Sequence, residues 1–335
     1  MGGDKAPGAI LRGCWEAAPL LDPAVDRVIL VGRAEVVGNV LASAPIPSDR
    51  TQCYSIVEAS QEIAMDESPV EAIRAKPDSS ISVMNKLVAK GHADVAISAG
   101  NTGACVAASQ LRMRLLPGVS RPGIAVVFPT FHGPVTICDV GANISPRPKH
   151  LQQYAIMASA YASAVHGIDS PRVGLMSIGE EDAKGTAIVK ESRKLLRDEP
   201  LINFVGNIEG RDIFRGVCDV VVCDGFVGNI VLKLSEGLAE ALFQTIAIEV
   251  QEADPQTFDR LKVVMKQIWA KHDWQETGGA PLLGVDGYSL ICHGRSDAKA
   301  IMNAIRVGKM IHNSGINKQI VDRISRSIQV EDDEA

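Results

Sequence analysis

Five stretches of this 335-residue chain share one vocabulary of glycine, asparagine and acidic or hydroxyl side chains. They are Ala99-Gly100-Asn101-Thr102-Gly103-Ala104, Asp139-Val140-Gly141-Ala142-Asn143, Gly179-Glu180-Glu181-Asp182-Ala183-Lys184-Gly185-Thr186, Gly206-Asn207-Ile208-Glu209-Gly210-Arg211-Asp212 and Asp224-Gly225-Phe226-Val227-Gly228-Asn229. Each lies at the end of a run rich in β-branched residues. Glycine lets backbone N–H groups approach a ligand, and the first turn of a helix leaves its amides without acceptors beside the positive end of the dipole. The chemistry such a turn supports is the holding of a small anion, most clearly at Gly100–Gly103, where the turn opens a helix. Any one stretch reads equally well as an ordinary turn or helix cap. Five at equivalent ends of strands in one sheet read as a binding rim.

Several chemistries are excluded. No strand is followed by GxGxxG, and the 179–186 stretch places Lys184 before Gly185, the reverse of the phosphate-cradling GxxxxGK[ST] order, so generic nucleotide use is unsupported. There is no GxSxG elbow to anchor a serine nucleophile. The seven cysteines are odd in number and none is spaced CxxC, which fits reduced thiols serving as small core residues better than a disulfide frame or a zinc site. His293 stands out, at the end of the apolar run Tyr288-Ser289-Leu290-Ile291-Cys292 and beside Gly294, Arg295 and Ser296.

The elements that must hold these loops follow from periodicity. Short runs at 27–32, 93–98, 124–128, 135–138, 172–178, 202–205 and 219–222 are nearly continuous in apolar residues, as strands covered on both faces are. Helical patterns at 81–90, 150–165, 186–196 and 230–249 alternate with them, which predicts a three-layer α/β/α fold with a largely parallel sheet. No linker divides the chain, so residues 1–335 are expected to form one unit, with two lobes around a cleft as the variant. Residues 230–274 read as a helical hairpin broken at Ala253-Asp254-Pro255. Its second arm carries Leu261, Val264, Met265, Ile268 and Trp269 on one face, a core or dimer contact by spacing, while Arg260, Lys262, Lys266 and Lys271 keep a membrane-surface contact open. The longest nearly uncharged helical stretch is about a dozen residues, short of the ~20 that span a bilayer. With 34 Lys plus Arg against 40 Asp plus Glu, and only 14 aromatic residues (7 Phe, 3 Trp, 4 Tyr), the chain has neither the charge nor the stacking surfaces for nucleic acid.

Taken in order, the motifs resemble the bacterial phosphate acyltransferases of phospholipid synthesis, the PlsX family. The match runs through Met1-Gly2-Gly3-Asp4-Lys5-Ala6-Pro7, Ser98–Ala104, Asp139–Asn143, Ser177-Ile178-Gly179-Glu180-Glu181 with Lys184-Gly185, Phe204–Asp212, Asp219–Phe226 with Gly228-Asn229, Gly278–Gly284 and His293-Gly294. The resemblance implies a fold similar to phosphotransacetylases and isocitrate dehydrogenases, a homodimer, and transfer of a fatty acyl group from acyl-acyl carrier protein to inorganic phosphate without a cofactor. It further implies a cytoplasmic protein, peripheral at the membrane, whose acyl phosphate passes to a membrane glycerol-3-phosphate acyltransferase. On this reading Lys184, His293 and Asn229 are catalytic, and Gly100, Asn101, Thr102, Gly103, Asn143, Asn207 and Asp4 bind phosphate or substrate. The backbone of Gly100–Gly103 and Lys184 would fix phosphate, Asn143, Asn207 or Asn229 would donate to the oxyanion, and His293 would protonate the leaving thiolate. Family members carry a short apolar strand before the Met-Gly-Gly-Asp motif. Here the motif is the chain start, so either the true start lies further upstream or the sheet is short of that strand. Ser145 and Val227 stand where Asp and Thr are usual. Two other classes compete: a dehydrogenase on the similar fold, which needs a nucleotide fingerprint this chain lacks, and a non-catalytic scaffold for acyl carrier protein. Carrier proteins are acidic, so a chain of net charge −6 needs a local basic patch, either Lys262, Lys266 and Lys271 or Arg193, Lys194 and Arg197.

Overall fold

A computed structural model describes residues 1–272 and 278–334. In chain order the elements are α1 (Gly8–Glu16), β1 (Val28–Gly32), α2 (Ala34–Ala42), β2 (Tyr54–Glu58), α3 (Pro69–Ala75), α4 (Ser80–Ala89), β3 (Val95–Ser98), α5 (Thr102–Arg112), β4 (Gly123–Thr130), β5 (Gly133–Cys138) and α6 (Pro148–His166). They continue with β6 (Arg172–Met176), α7 (Ala187–Asp198), β7 (Asn203–Ile208), β8 (Val220–Val222), α8 (Gly225–Ala253), α9 (Pro255–His272), β9 (Ala280–Leu283), β10 (Tyr288–Ile291), α10 (Ala298–Ser314) and α11 (Ile316–Glu334). All seven expected strands and all four expected helices are present, and the helical hairpin breaks at Asp254 as expected. Three strands escape the pattern reading. β9 and β10 have four residues each, and β9 carries Pro281, while β2 alternates too weakly to register.

Eight strands form one sheet in the order β3-β10-β9-β4-β5-β8-β6-β7, and β1 and β2 form a separate parallel pair. Most pairings are parallel, but β9 runs antiparallel to both β10 and β4, and β4 antiparallel to β5. The end of β10 (Ile291) therefore lies against the start of β9 (Ala280), while the end of β5 (Cys138) lies against the start of β4 (Ala125). This corrects the expectation of one rim at equivalent strand ends. The loop after β3 and His293 after β10 belong to strands of one sense, and the loops after β5, β6, β7 and β8 to strands of the other.

Helices cover both faces. α6 is buried almost all round, with Ala155, Ala158, Ala160 and Ala162 fully enclosed, because small side chains let it lie flush on β5 and β8. On the other face Ile81, Ala104, Cys105, Ala108 and Ile291 share one core with Val135, Ile137 and Val221. α8 differs from both. Of its 29 residues only Gly225 and Gly228 are buried, and Phe226, Ile230, Leu234, Leu238, Leu242 and Ile246 form an exposed apolar stripe at every fourth position. On α9, Val264 and Ile268 are exposed too, while the side chains of Trp269 and Lys271 lie outside the described residues. No described helix is long and apolar enough to cross a membrane.

Candidate active site

The first cluster forms where β3 and β10 end. Asn101 caps α5: its Oδ1 accepts from the Ala104 amide at 2.9 Å, and its Nδ2 donates to the carbonyls of Ala64, Met65 and Glu67 at 3.1–3.2 Å. Only 6 % exposed, this side chain is fully used in tying the 64–67 segment to the helix start, so it is an anchor and has no donor left for a ligand. The amides of Thr102 and Gly103 open the helix and have no acceptor within it, which leaves the anion-holding capacity in the backbone. Gly103 is required by packing, since a Cβ there would lie 2.5 Å from Pro69 Cγ. Gly3 sits against the Ala99 carbonyl and the Asp4 amide donates to the Gly294 carbonyl at 3.1 Å, so the chain start, the α5 turn and His293–Gly294 pack together.

His293 is exposed, and its Nδ1 accepts the Arg295 amide at 3.1 Å, which places the proton of the neutral ring on Nε2. Its pKa is held below the ordinary histidine value by partial burial first, then by the nearby cations Lys233 and Arg295, with Asp4 opposing. Lys233 was not singled out in the sequence because it lies two turns inside α8 and not in a loop. Its signal is that of a lone cation in the otherwise apolar first stretch of that helix.

The second cluster joins β5 to the start of α8. Asp139 is fully buried and its carboxylate accepts four backbone amides: Ile124, Gly141 and Ala142 on Oδ1 at 2.9, 3.2 and 3.0 Å, and Asn143 on Oδ2 at 2.6 Å. Burial raises its pKa against these four bonds, which favour the anion. Asn143 donates through Nδ2 to the Pro122 carbonyl and to Tyr154 Oη, both at 2.7 Å, so it too is committed to scaffolding and is not a donor to substrate. Gly225 donates to the Asn143 carbonyl at 2.8 Å, and a Cβ on Gly228 would stand 2.0 Å from the Asp139 carbonyl oxygen, so the first turn of α8 lies flush on the loop. Asn229, half-buried, lies with its Cβ 4.0 Å from where a Gly141 Cβ would be. Four residues on, Lys233 shares its helix face. Thus α8 links the two clusters, carrying Asn229 at the 139–143 loop and, four residues on, Lys233 within electrostatic reach of His293.

The third cluster closes over β6 and β7. Asn207 donates from Nδ2 to the Glu181 carbonyl at 3.3 Å, and its buried Oδ1 has no partner, like the buried Oγ of Ser177. Lys184 is exposed at the tip of this loop, its stem packed against Gly179. Arg193 and Arg197 both pair with Asp182, which blunts the basic patch expected there. All seven cysteines are buried and free, and burial pushes the Cys105 thiol, under the α5 turn, up to about 11, so it is protonated and unsuited to attack.

The family model described as "fatty acid synthesis protein" matches residues 1–319. A phosphate acyltransferase of Heliobacterium modesticaldum is 45% identical over 330 residues, covering 98% of this chain and 96% of that protein. The chain belongs to this family. A second member, the phosphate acyltransferase of Desulforamulus reducens, is 43% identical over 99% of this chain and 98% of its own. Among solved structures, a phosphotransacetylase from Streptococcus pyogenes aligns over 94% of this chain and 91% of its own with a TM-score of 0.59 at 18% identity. A 4-hydroxythreonine-4-phosphate dehydrogenase from Klebsiella pneumoniae aligns over 91% and 94% with a TM-score of 0.51 at 13% identity. Those two likenesses establish the fold, which family members thus share with a phosphotransacetylase and a dehydrogenase.

Proposed function

We propose that the protein transfers a fatty acyl group from the thioester of acyl-acyl carrier protein to inorganic phosphate, releasing acyl phosphate and the carrier thiol. The observation that carries the reading within this family is the convergence of His293, Lys233, Asp4 and the open amides of Thr102 and Gly103. The amides and Lys233 hold the phosphate dianion against the thioester. Phosphate oxygen attacks the carbonyl carbon, the oxyanion collects hydrogen bonds from Asn229 Nδ2 and His293 Nε2–H, and collapse breaks the C–S bond, the thiolate taking up the proton that the hydrogen phosphate loses as the acyl phosphate forms. A neutral imidazole with a depressed pKa serves as a hydrogen-bond donor, a better fit than a stored proton for the leaving group. No protein nucleophile is needed, in keeping with the protonated Cys105.

Lys184 enters as a second cation. Twist of ~20–25° between neighbouring strands accumulates to roughly 150° across an eight-stranded sheet, enough to turn the ends of oppositely directed strands toward a common cleft. We expect Lys184→Met to raise KM for phosphate about tenfold with a smaller change in kcat. An unchanged phosphate dependence would remove Lys184 from the site. The whole reading is tested by incubating the protein with palmitoyl-acyl carrier protein and phosphate, then trapping acyl phosphate with hydroxylamine and titrating the free carrier thiol. A folded protein that gives no phosphate-dependent product would refute it.

The pH dependence follows from His293. Its neutral form is the donor and its pKa lies below the ordinary value, so kcat/KM should be full at neutral pH and fall only as pH drops through that depressed pKa. His293→Ala should lose about 10²-fold and abolish this acid limb. A limb retained in the variant would assign it to another group.

The carrier protein is proposed to dock at Lys262 and Lys266 on α9, both exposed. Two copies of the chain are proposed to bury the apolar stripe of α8 between them, since a helix with two buried residues in 29 gains little from its own fold.

A further inference from the structure

Of the two basic groups that the sequence offers to an acidic carrier, Arg193 and Arg197 of α7 are paired with Asp182. The fold assembles a third group, which spacing along the chain hides. Arg121 stands just before β4, and Arg147 caps the start of α6. Both act on one side chain. His150, half-buried in the first turn of α6, has its pKa lowered by burial first and then by the charges of Arg121 and Arg147. The charge of Arg121 also reaches Tyr154, one turn further along the helix. The two arginines therefore gather at the same end of α6. Both are exposed, and neither has an acidic partner among the described residues. The Arg147 amide donates to His150 Nδ1 at 3.0 Å, which places the proton of the neutral ring on Nε2. The cluster thus offers two guanidinium forks and one ring N–H.

The cluster borders the loop that faces Asn229. Asn143 accepts the Gly225 amide on its carbonyl at 2.8 Å and donates from Nδ2 to the carbonyl of Pro122, the residue after Arg121, at 2.7 Å. One loop therefore separates the first turn of α8 from Arg121. Arg147 is four residues beyond Asn143, a span of no more than about 14 Å even when fully extended, and Ile144 and Ser145 lie exposed along it. In a chain of net charge −6 this group of cations without carboxylate partners calls for an anion from outside. The arm that presents a carrier's thioester is pantetheine, joined to the carrier by a phosphodiester. From sulfur to phosphate it is about as long as five residues of extended chain, ~17 Å. That length covers the span from Asn143 to Arg147. A phosphodiester stays charged at any working pH, and its two free oxygens match a guanidinium fork.

We propose that Arg121, Arg147 and the Nε2–H of His150 bind the phosphodiester of the carrier's pantetheine arm, with the arm laid along Ile144 and Ser145 and its thioester delivered to Asn229. The inference rests on the acyl-transfer reading and adds to it the anchor that sets how far the arm enters. It concerns the arm and not the carrier's own surface.

Titration calorimetry on the full chain compares phosphopantetheine with pantetheine, which lacks only the phosphate. The phosphorylated compound should bind at least about tenfold tighter. Replacing both arginines, Arg121→Ala with Arg147→Ala, should bring it down to the pantetheine value and leave pantetheine itself unchanged. Arg147→Lys keeps the charge but not the fork, and should retain part of the advantage. In acyl phosphate formation the double variant should raise KM for acyl-acyl carrier protein about tenfold, with a smaller change in kcat and none in KM for phosphate. Equal affinity of the parent for the two compounds, or an advantage that survives in the double variant, would overturn the proposal. A rise in KM confined to inorganic phosphate would make this a site for the acceptor and overturn it as well. A parent that discriminates the two compounds yet forms no acyl phosphate would refute acyl transfer and leave the anchor standing.

Discussion

Lys233→Met should lower kcat/KM for acyl phosphate formation by about 10²–10³-fold, the cost of removing one preorganised group that meets charge developing in a transition state. The ammonium carries two burdens at once. In the proposed reaction it faces the dianion, and after burial it is the main influence holding the His293 pKa down. Removing it relieves that repulsion, so the His293 pKa must rise toward its ordinary value, and the acid limb of the kcat/KM profile must move to higher pH. Lys233→Arg keeps the charge and should restore the position of the limb even where it restores only part of the rate. A loss of stability alone would leave the limb of the surviving enzyme where it was. Activity within threefold of the parent, with an unmoved limb, would take Lys233 out of the site.

The second large effect is on folding. Gly228→Ala places a methyl group 2.0 Å from the Asp139 carbonyl oxygen, a contact that backbone on both sides cannot relieve without displacing α8. We expect a loss of about 3 kcal/mol and a fall in Tm of about 4 °C. Gly237 supplies the control within the same helix. Nothing lies within 4 Å of a Cβ added there, so Gly237→Ala should stabilise the chain by about 0.5–1 kcal/mol through helix propensity alone. Thermal unfolding of the pair settles the matter. Similar Tm values for both variants would mean that α8 is not docked on the 139–143 loop.

Much of the architecture was legible because buried strands and amphipathic helices write their periods into the chain. Strands β1 and β3–β8 announce themselves as β-branched runs, and Asp254-Pro255 marks the turn of the hairpin by local chemistry. What could not be read is what depends on partners far away in sequence. The reversal at β9, β4 and β5 is a property of pairing and leaves no local mark. Asn101 and Asn143 have the right residue type in the right kind of loop, yet their donors are spent on Ala64, Met65 and Glu67 in one case and on Pro122 and Tyr154 in the other. Residue type reports capacity for hydrogen bonds but not how much of it the fold consumes. Lys233 went unnoticed for the converse reason: a charged residue inside a helix reads as solvated surface until the helix is seen to pass His293.

The pairing of β3 with β10 sets an order of events during synthesis. Ile97 meets Leu290, and α1 packs against α10, so β3 and α1 find these partners only after residue 290 has left the ribosome, long after β1 has met β2 and α4 has met α5. Until then β3 lacks its strand partner β10, and Val95, Ala96 and Ile97 present bare edges to whatever chain is near. The second half is under no such constraint, because β5, β6, β7 and β8 pair among themselves. A nascent chain of this protein should therefore pass through a long interval in which its centre is folded while β3 and α1 still wait for β10 and α10, and in which a chaperone that shields extended apolar segments has most to do.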